Sequence, residues 1–192
     1  MKALNILKEE IIEAGRRLYQ RGLVAANDGN LSCRLPDGSF FITASGVSKG
    51  FLQPEDLLLV DAAGHPLFAG AQRPSIETGM HLAVYAACPK AAAIIHAHPP
   101  FATAFALAGL DMNENAPDEV RLQLGRVPTF AYGEAGSPEL ARHVAEGITG
   151  HCCGLLARHG AITLGDSVGQ ALFRMEALEH AARIMVYARQ LR

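Results

Sequence analysis

The stretch Ala92-Ala93-Ile94-Ile95-His96-Ala97-His98-Pro99-Pro100 sets the reading of the chain. Residues 92–98 read as an apolar strand, and the two prolines stop it, because proline offers no ladder N–H. Downstream, residues 153–158 and 161–164 read as two strands around His159-Gly160, and residues 127–132 as a short one. Upstream, residues 31–35 and 39–43 read as a hairpin through the turn Pro36-Asp37-Gly38, and residues 57–61 as a buried strand. Helices alternate with these. Residues 2–21 place Leu4, Leu7, Ile11, Gly15 and Leu18 on one face. Residues 75–87 start at Pro74-Ser75, residues 101–108 follow the proline pair, and Ser137-Pro138 opens a helix to residue 148. Residues 167–191 turn Leu172, Met175, Leu178, Ala182 and Met185 inward. Hairpins between helical segments predict one α/β domain over residues 1–192, its mixed or antiparallel sheet covered on both faces. The crossover pattern of a dinucleotide-binding fold and its G-x-G-x-x-G are absent.

Seventeen Lys+Arg against nineteen Asp+Glu leave a formal charge of −2, and the absence of a basic block excludes a nucleic-acid-binding surface. With 49% hydrophobic and 19% charged residues, the chain has the composition of a packed globule and not of a disordered one. No apolar run approaches the ~18 residues of a membrane helix. The first ten residues form an amphipathic, acid-bearing segment without a signal-peptide core, which predicts a cytoplasmic protein with no membrane partner. Cys33, Cys88, Cys152 and Cys153 lack C-x-x-C spacing and read as reduced, small buried residues.

Three signals carry chemistry. In a strand, residues i and i+2 share a face, so His96 and His98, about 7 Å apart at Cα, can converge on one ion. The same pair also reads as two histidines satisfied by backbone or water at a strand end. A zinc site open to substrate takes three protein ligands, with nitrogen at ~2.0–2.1 Å. The third candidate is His159, held in a sharp turn between apolar strands, with Gly160 permitting the tight backbone; taken by itself it reads as a surface hairpin histidine. His65, His81, His143, His151 and His180 read as solvated or locally hydrogen-bonded. The second signal is Arg73-Pro74-Ser75-Ile76-Glu77-Thr78. Glu77 in a helix first turn complements the helix dipole, or else serves as a carboxylate general base and as a metal ligand that swings away. Ser75 reads as an N-cap at a helix end that also suits an anion. The third is a pair of glycine loops, Asp28-Gly29-Asn30 and Thr43-Ala44-Ser45-Gly46, which read as turns or as a phosphate cradle.

Taken in order, Gly29-Asn30-Leu31-Ser32, Ile42-Thr43-Ala44-Ser45-Gly46, Arg73-Pro74-Ser75-Ile76-Glu77, His96-Ala97-His98-Pro99-Pro100 and Arg158-His159-Gly160 resemble the class II aldolase/adducin family. They are closest to its fuculose-phosphate aldolase branch. The resemblance runs from about residue 4 to residue 190. It implies a three-layer α/β/α sandwich with a central, mainly antiparallel sheet, and a fourfold-symmetric homotetramer with sites between subunits. It places His96, His98 and His159 on the ligands of one Zn²⁺ per subunit, with other divalent metals as alternatives. Glu77 falls on the catalytic acid/base that also ligates the metal, and Asn30, Ser45, Gly46 and Ser75 on the phosphate-binding positions.

The activity this implies is reversible cleavage of a phosphorylated ketose to dihydroxyacetone phosphate and a small aldehyde, through a metal-stabilised enediolate. Alternatives on the same scaffold are a sugar-phosphate dehydratase, a decarboxylase, a 4-epimerase, or a non-catalytic adducin-like module. The epimerase branch carries Asp at the position of Glu77, which favours an aldolase. The chain departs from the aldolase pattern at Ile76, where that branch has a second serine. It also departs in the stretch from Asn115 to Val120, which offers no counterpart to a proton-donating tyrosine, and in stopping at Arg192 without the C-terminal tail that brings a second tyrosine to the site.

Overall fold

The computed structural model describes residues 2–113 and 116–191; Met1, Glu114, Asn115 and Arg192, which the readings above include, lie outside the described residues. The chain runs α1 (Lys2–Gln20), β1 (Asn30–Arg34), β2 (Phe40–Thr43), β3 (Leu57–Val60), α2 (Thr78–Ala87), β4 (Ala93–Ala97), α3 (Pro100–Ala108), α4 (Asp118–Leu124), β5 (Thr129–Phe130), α5 (Pro138–Ile148), β6 (Cys153–Leu156), β7 (Gly160–Gly165) and α6 (Val168–Gln190). The strands form one sheet in the order β3-β2-β1-β4-β7-β6-β5. Every neighbouring pair is antiparallel except β5 and β6, which α5 joins as a single crossover unit.

Strand alternation assigns the faces. Leu31, Cys33, Ala93, Ile95, Ala97 and Ala161 pack beneath α1, α3, α4 and α6. Ile42, Val60, Ile94, Leu156, Ile162 and Leu164 pack beneath α2 and α5. The result is the expected three-layer α/β/α sandwich. Ile11 and Leu18 of α1 are fully buried, whereas Leu4, read on the same face, is 37% exposed. The inward residues of α6 are all buried, and Ser137 and Ser167 cap α5 and α6 through hydroxyl oxygens that accept from Leu140 N and Gln170 N. All four cysteines are free, Cys33 and Cys153 buried and the other two half-buried. Among the described residues no helix is long and apolar enough to cross a membrane.

Three local features differ from the sequence reading. Helix α2 begins at Thr78, not at Ser75, because Ser75 is tied back to β2. Its N–H donates to Thr43 O at 3.1 Å, and its carbonyl accepts from Thr78 N at 3.0 Å, which closes a turn over residues 75–78. Strand β5 keeps only two of its six expected residues. Helix α4 was not anticipated: its single buried residue is Leu124, so it has no apolar stripe to read, only Pro117 followed by Asp118 and Glu119 as a start signal.

Helix α6 fixes the strand end that carries the two histidines. The Glu179 carboxylate, 3% exposed, accepts from Phe101 N at 3.0 and 3.1 Å and from Ala102 N at 2.9 Å. It thereby satisfies the unpaired first-turn donors of α3, immediately after Pro99-Pro100. Glu179→Ala leaves those buried N–H groups without an acceptor, so the stability measured by urea unfolding should fall by about 1–3 kcal/mol; an unchanged midpoint would refute the role.

Candidate functional site

The central register builds the site. Asn30 of β1 stands opposite His96 of β4, and His96 opposite Ile162 of β7. His96 shares the face of Ile94, which lies under α2, and so points toward the loop that enters that helix. His98 follows two residues on, past the end of β4. His159 arrives from the turn between β6 and β7. The three rings meet with centroids 4.8, 4.9 and 5.0 Å apart, and one ligand nitrogen from each lies within 4.8 Å of the others. The turn that delivers His159 uses a different residue from the one expected. Arg158, not Gly160, takes the left-handed backbone, at φ 59°. Gly160 is needed for clearance: a Cβ there would sit 2.6 Å from Ala97 O, 2.6 Å from His98 Cδ2 and 3.3 Å from His96 Cε1. Gly29 meets both demands, with φ +71° and His96 O only 2.7 Å from where a Cβ would be.

Glu77 is the N-cap residue of α2, not a first-turn residue, and its side chain makes no capping bond. Its carboxylate is 5% exposed. Oε2 accepts from Asn30 Nδ2 at 2.8 Å and lies 3.3 Å from His96 Nε2. Oε1 lies 3.7 Å from His159 Nε2 and has no hydrogen-bond partner. Burial raises its affinity for a proton, but His96, the Asn30 amide and His159 together outweigh that and hold the carboxyl below its usual range.

The ring nitrogens carry the fit to a cation. His96 Nδ1 is 2.9 Å from Ala161 O; a carbonyl only accepts, so this nitrogen carries the proton. Burial, reinforced by the neighbouring His98 and His159 against the pull of Glu77, lowers the His96 pKa to about 4. The ring is therefore neutral, and its Nε2 presents a lone pair. His98 Nδ1 faces the Asp28 carboxylate at 3.5 Å, which also turns its Nε2 inward, 3.1 Å from that of His96. The His96 lone pair can meet either a proton carried on His98 Nε2 or a cation held between the two rings. Tetrahedral Zn–N bonds of ~2.0–2.1 Å set their nitrogens at about this separation. Asp28 behind His98 and Ala161 O behind His96 are the outer partners that metal-bound imidazoles ordinarily require.

A cleft of about 190 Å³ opens onto this cluster. Asn30, Ser45, Gly46 and Ser75 all line it, with Ser45 and Gly46 exposed at its mouth. Asn30 is also committed inward, with Nδ2 on Glu77 and Oδ1 on His81; the second Nδ2 hydrogen remains for a ligand. Lys49 escaped the sequence reading. Its ammonium, 2% exposed, donates to Asn27 O and Val47 O and so links the two glycine loops. Desolvation lowers its pKa to about 8, against the opposing pull of Asp28 and Asp56. His81, read as a solvated or locally bonded histidine, is 1% exposed and belongs to the wall behind Glu77.

An α/β/α sandwich that converges three imidazoles, with a carboxylate against two of them and glycine loops beside, presents a donor set suited to a divalent cation and an anionic ligand. The sequence profile described as Class II Aldolase and Adducin N-terminal domain matches residues 9–186, and the chain belongs to this family. It is 39% identical over 191 residues to the methylthioribulose-1-phosphate dehydratase of Methylococcus capsulatus, covering 89% of this chain and 88% of that one. It is 36% identical to the 3-oxo-tetronate 4-phosphate decarboxylase of Escherichia coli, covering 93% and 85%. The crystal structure of L-fuculose-1-phosphate aldolase from Thermus thermophilus superposes with a TM-score of 0.84 at 33% identity, covering 96% and 95%. The family contains aldolases, dehydratases and decarboxylases acting on sugar phosphates.

The packing at Gly160 gives a direct test of the cluster. Gly160→Ala drives a methyl group into both β4 histidines, so elemental analysis of the folded variant should show much less divalent metal than the wild type. Equal loading would mean that the histidine geometry does not govern metal binding.

Proposed function

We propose that the chain is a divalent-metal-dependent lyase acting on a phosphorylated ketose, cleaving it reversibly to dihydroxyacetone phosphate and a small aldehyde. The carrying observation is the cluster of His96, His98 and His159 with the buried Glu77 carboxylate against it, Oε2 3.3 Å from His96 Nε2 and the unpartnered Oε1 3.7 Å from His159 Nε2. His96, His98 and His159 would hold the ion, which we assign as one Zn²⁺ per subunit, and Glu77 would join them in the absence of substrate. Such an ion supplies Lewis-acid stabilisation of the negative charge that develops beside the substrate carbonyl.

The remaining steps belong to the chain. Ser45, Gly46, Ser75 and the second N–H of Asn30 bind the phosphate at the mouth of the cleft, which anchors the reacting end of the substrate against Glu77. Lys49 keeps the two loops at a fixed separation. In condensation Glu77 takes the proton from C3 of dihydroxyacetone phosphate; in cleavage it returns that proton after the C3–C4 bond breaks. Its low basicity suits a carbon acid only once that acid is itself activated, which matches a carboxylate placed next to the ion site.

A second reading keeps the same acid–base residue and changes the bond that breaks: elimination of water or of carbon dioxide from a related sugar phosphate. The dehydratase and decarboxylase relatives at 39% and 36% identity support it. So does Ile76, 67% exposed at the cleft where the aldolase branch has a serine. A panel of phosphorylated ketoses and keto acids separates the two readings, with dihydroxyacetone phosphate, lost water or released carbon dioxide as the readout. We further assign a cytoplasmic homotetramer. Phe68, 74% exposed, and Leu67, 49% exposed, stand beside an apolar groove along β3, a surface that a second copy would cover. Light scattering should give the mass of four chains, and a fully active monomer would contradict sites shared between subunits.

The proton step can be isolated. Metal-loaded wild type should exchange the C3 proton of dihydroxyacetone phosphate with deuterated water, followed by NMR. Glu77→Gln preserves size and removes the acceptor, so exchange should fall by about 10²–10⁴-fold. Equal rates in a metal-loaded, folded variant would remove Glu77 from the chemistry.

A further inference from the structure

We infer that His81 is a positioning residue for Glu77: acting through the Asn30 amide, it dictates which carboxylate oxygen is occupied and which is left free for the proton. The inference deepens the acid–base role proposed above and rests on it. Glu77, His81 and Tyr85 are spaced four residues apart and form one stripe along α2. Asn30 and Ser32, two apart on β1, share the face beneath it. The two sets interlock. Tyr85 Oη lies 2.9 Å from Ser32 Oγ, Ser32 Oγ 2.7 Å from His81 Nδ1, His81 Nε2 2.6 Å from Asn30 Oδ1, and Asn30 Nδ2 2.8 Å from Glu77 Oε2. All five residues are at most 5% exposed.

The direction of every bond follows from its acceptor end. A carboxylate oxygen only accepts, so Asn30 presents Nδ2 to Glu77 and its carbonyl oxygen to His81. That oxygen only accepts, so His81 carries its proton on Nε2. Desolvation holds the ring neutral, with a pKa near 3, so Nδ1 is a lone pair and takes the Ser32 hydroxyl proton. Ser32, its own proton committed, accepts from Tyr85. The other His81 tautomer would set a lone pair against Asn30 Oδ1, the amide would turn over, and an oxygen would face Glu77 Oε2. Both arrangements place two buried acceptors in contact, at the cost of groups left without donors. One low-energy state remains. It saturates Oε2 and leaves Oε1, on the His159 side, as the carboxylate oxygen available to a proton.

The tautomer is measurable without substrate. In ¹⁵N-histidine-labelled wild type, with metal removed or present, His81 should give the NMR pattern of a neutral Nε2–H ring. An Nδ1–H ring or an imidazolium would overturn the assignment. The variants read the same bond in turnover. His81→Gln keeps an N–H donor near the position of Nε2, whereas His81→Leu removes it. Proton exchange should fall by about tenfold in the Leu variant, the effect of one lost hydrogen bond, and be largely retained in the Gln variant, with metal content unchanged in both. Equal loss in the two would make His81 a packing residue and overturn the inference. If the Leu variant does not fold, the wild-type tautomer decides. A wild type that shows the Nε2–H ring but exchanges no proton refutes the acid–base reading of Glu77, and the two failures are thus told apart.

Discussion

A carboxylate that is 5% exposed keeps its charge only if its surroundings replace the water it has lost, and in this chain that requirement organises the site. Glu77 receives one amide hydrogen bond, lies 3.3 and 3.7 Å from the His96 and His159 rings, and still has an oxygen without a donor. His96 cannot serve it, because its one ring proton is committed to Ala161 O and its Nε2 is a lone pair. The His96 lone pair and the unpaired Glu77 oxygen are thus acceptors left without donors in a low-dielectric wall. A divalent cation is the species that resolves all of them at once.

The sheet makes this concentration possible. β1, β4 and β7 are adjacent in the middle of the sheet, so their side chains are held from both sides by paired backbone. The helix layers then act differently. α2 faces the site and brings Glu77, His81 and Tyr85 down onto β1. α6, on the opposite face, reaches under the sheet end with Glu179 and fixes α3 where β4 stops. The site is thus clamped between a polar helix stripe above and a buried cap below, and Ser45 and Gly46 of the second glycine loop are left at the surface.

Much of this was legible in the sequence. The strand–proline junction placed two histidines at a strand end, and the position of Glu77 beside a helix start was visible from Arg73-Pro74-Ser75. Three things were not. The wall of Asn30, Ser32, His81 and Tyr85 depends on how a strand registers against a helix, which no single-segment pattern contains, although the four-residue spacing of Glu77, His81 and Tyr85 was there to be seen. Lys49 carried no signal at all, because burial of a lysine by two backbone carbonyls leaves no trace in composition. Arg158 adopts the conformation for which Gly160 was held responsible. A glycine can be required by a neighbour's atoms as well as by its own dihedrals, and only coordinates separate the two.

The chain distances involved have a consequence for folding. Asn30, Glu77, His96 and His159 come from four separate regions, and the pairing of β4 with β7 closes a loop of more than sixty residues before His159 can meet the β4 pair. No local fragment carries all three imidazoles, so an ion held by the three together favours the native ensemble over the unfolded one. By mass action the ion then adds to the free energy of folding in proportion to the logarithm of its free concentration. An ion taken by the cluster would therefore couple the stability of the fold to the concentration of metal around it.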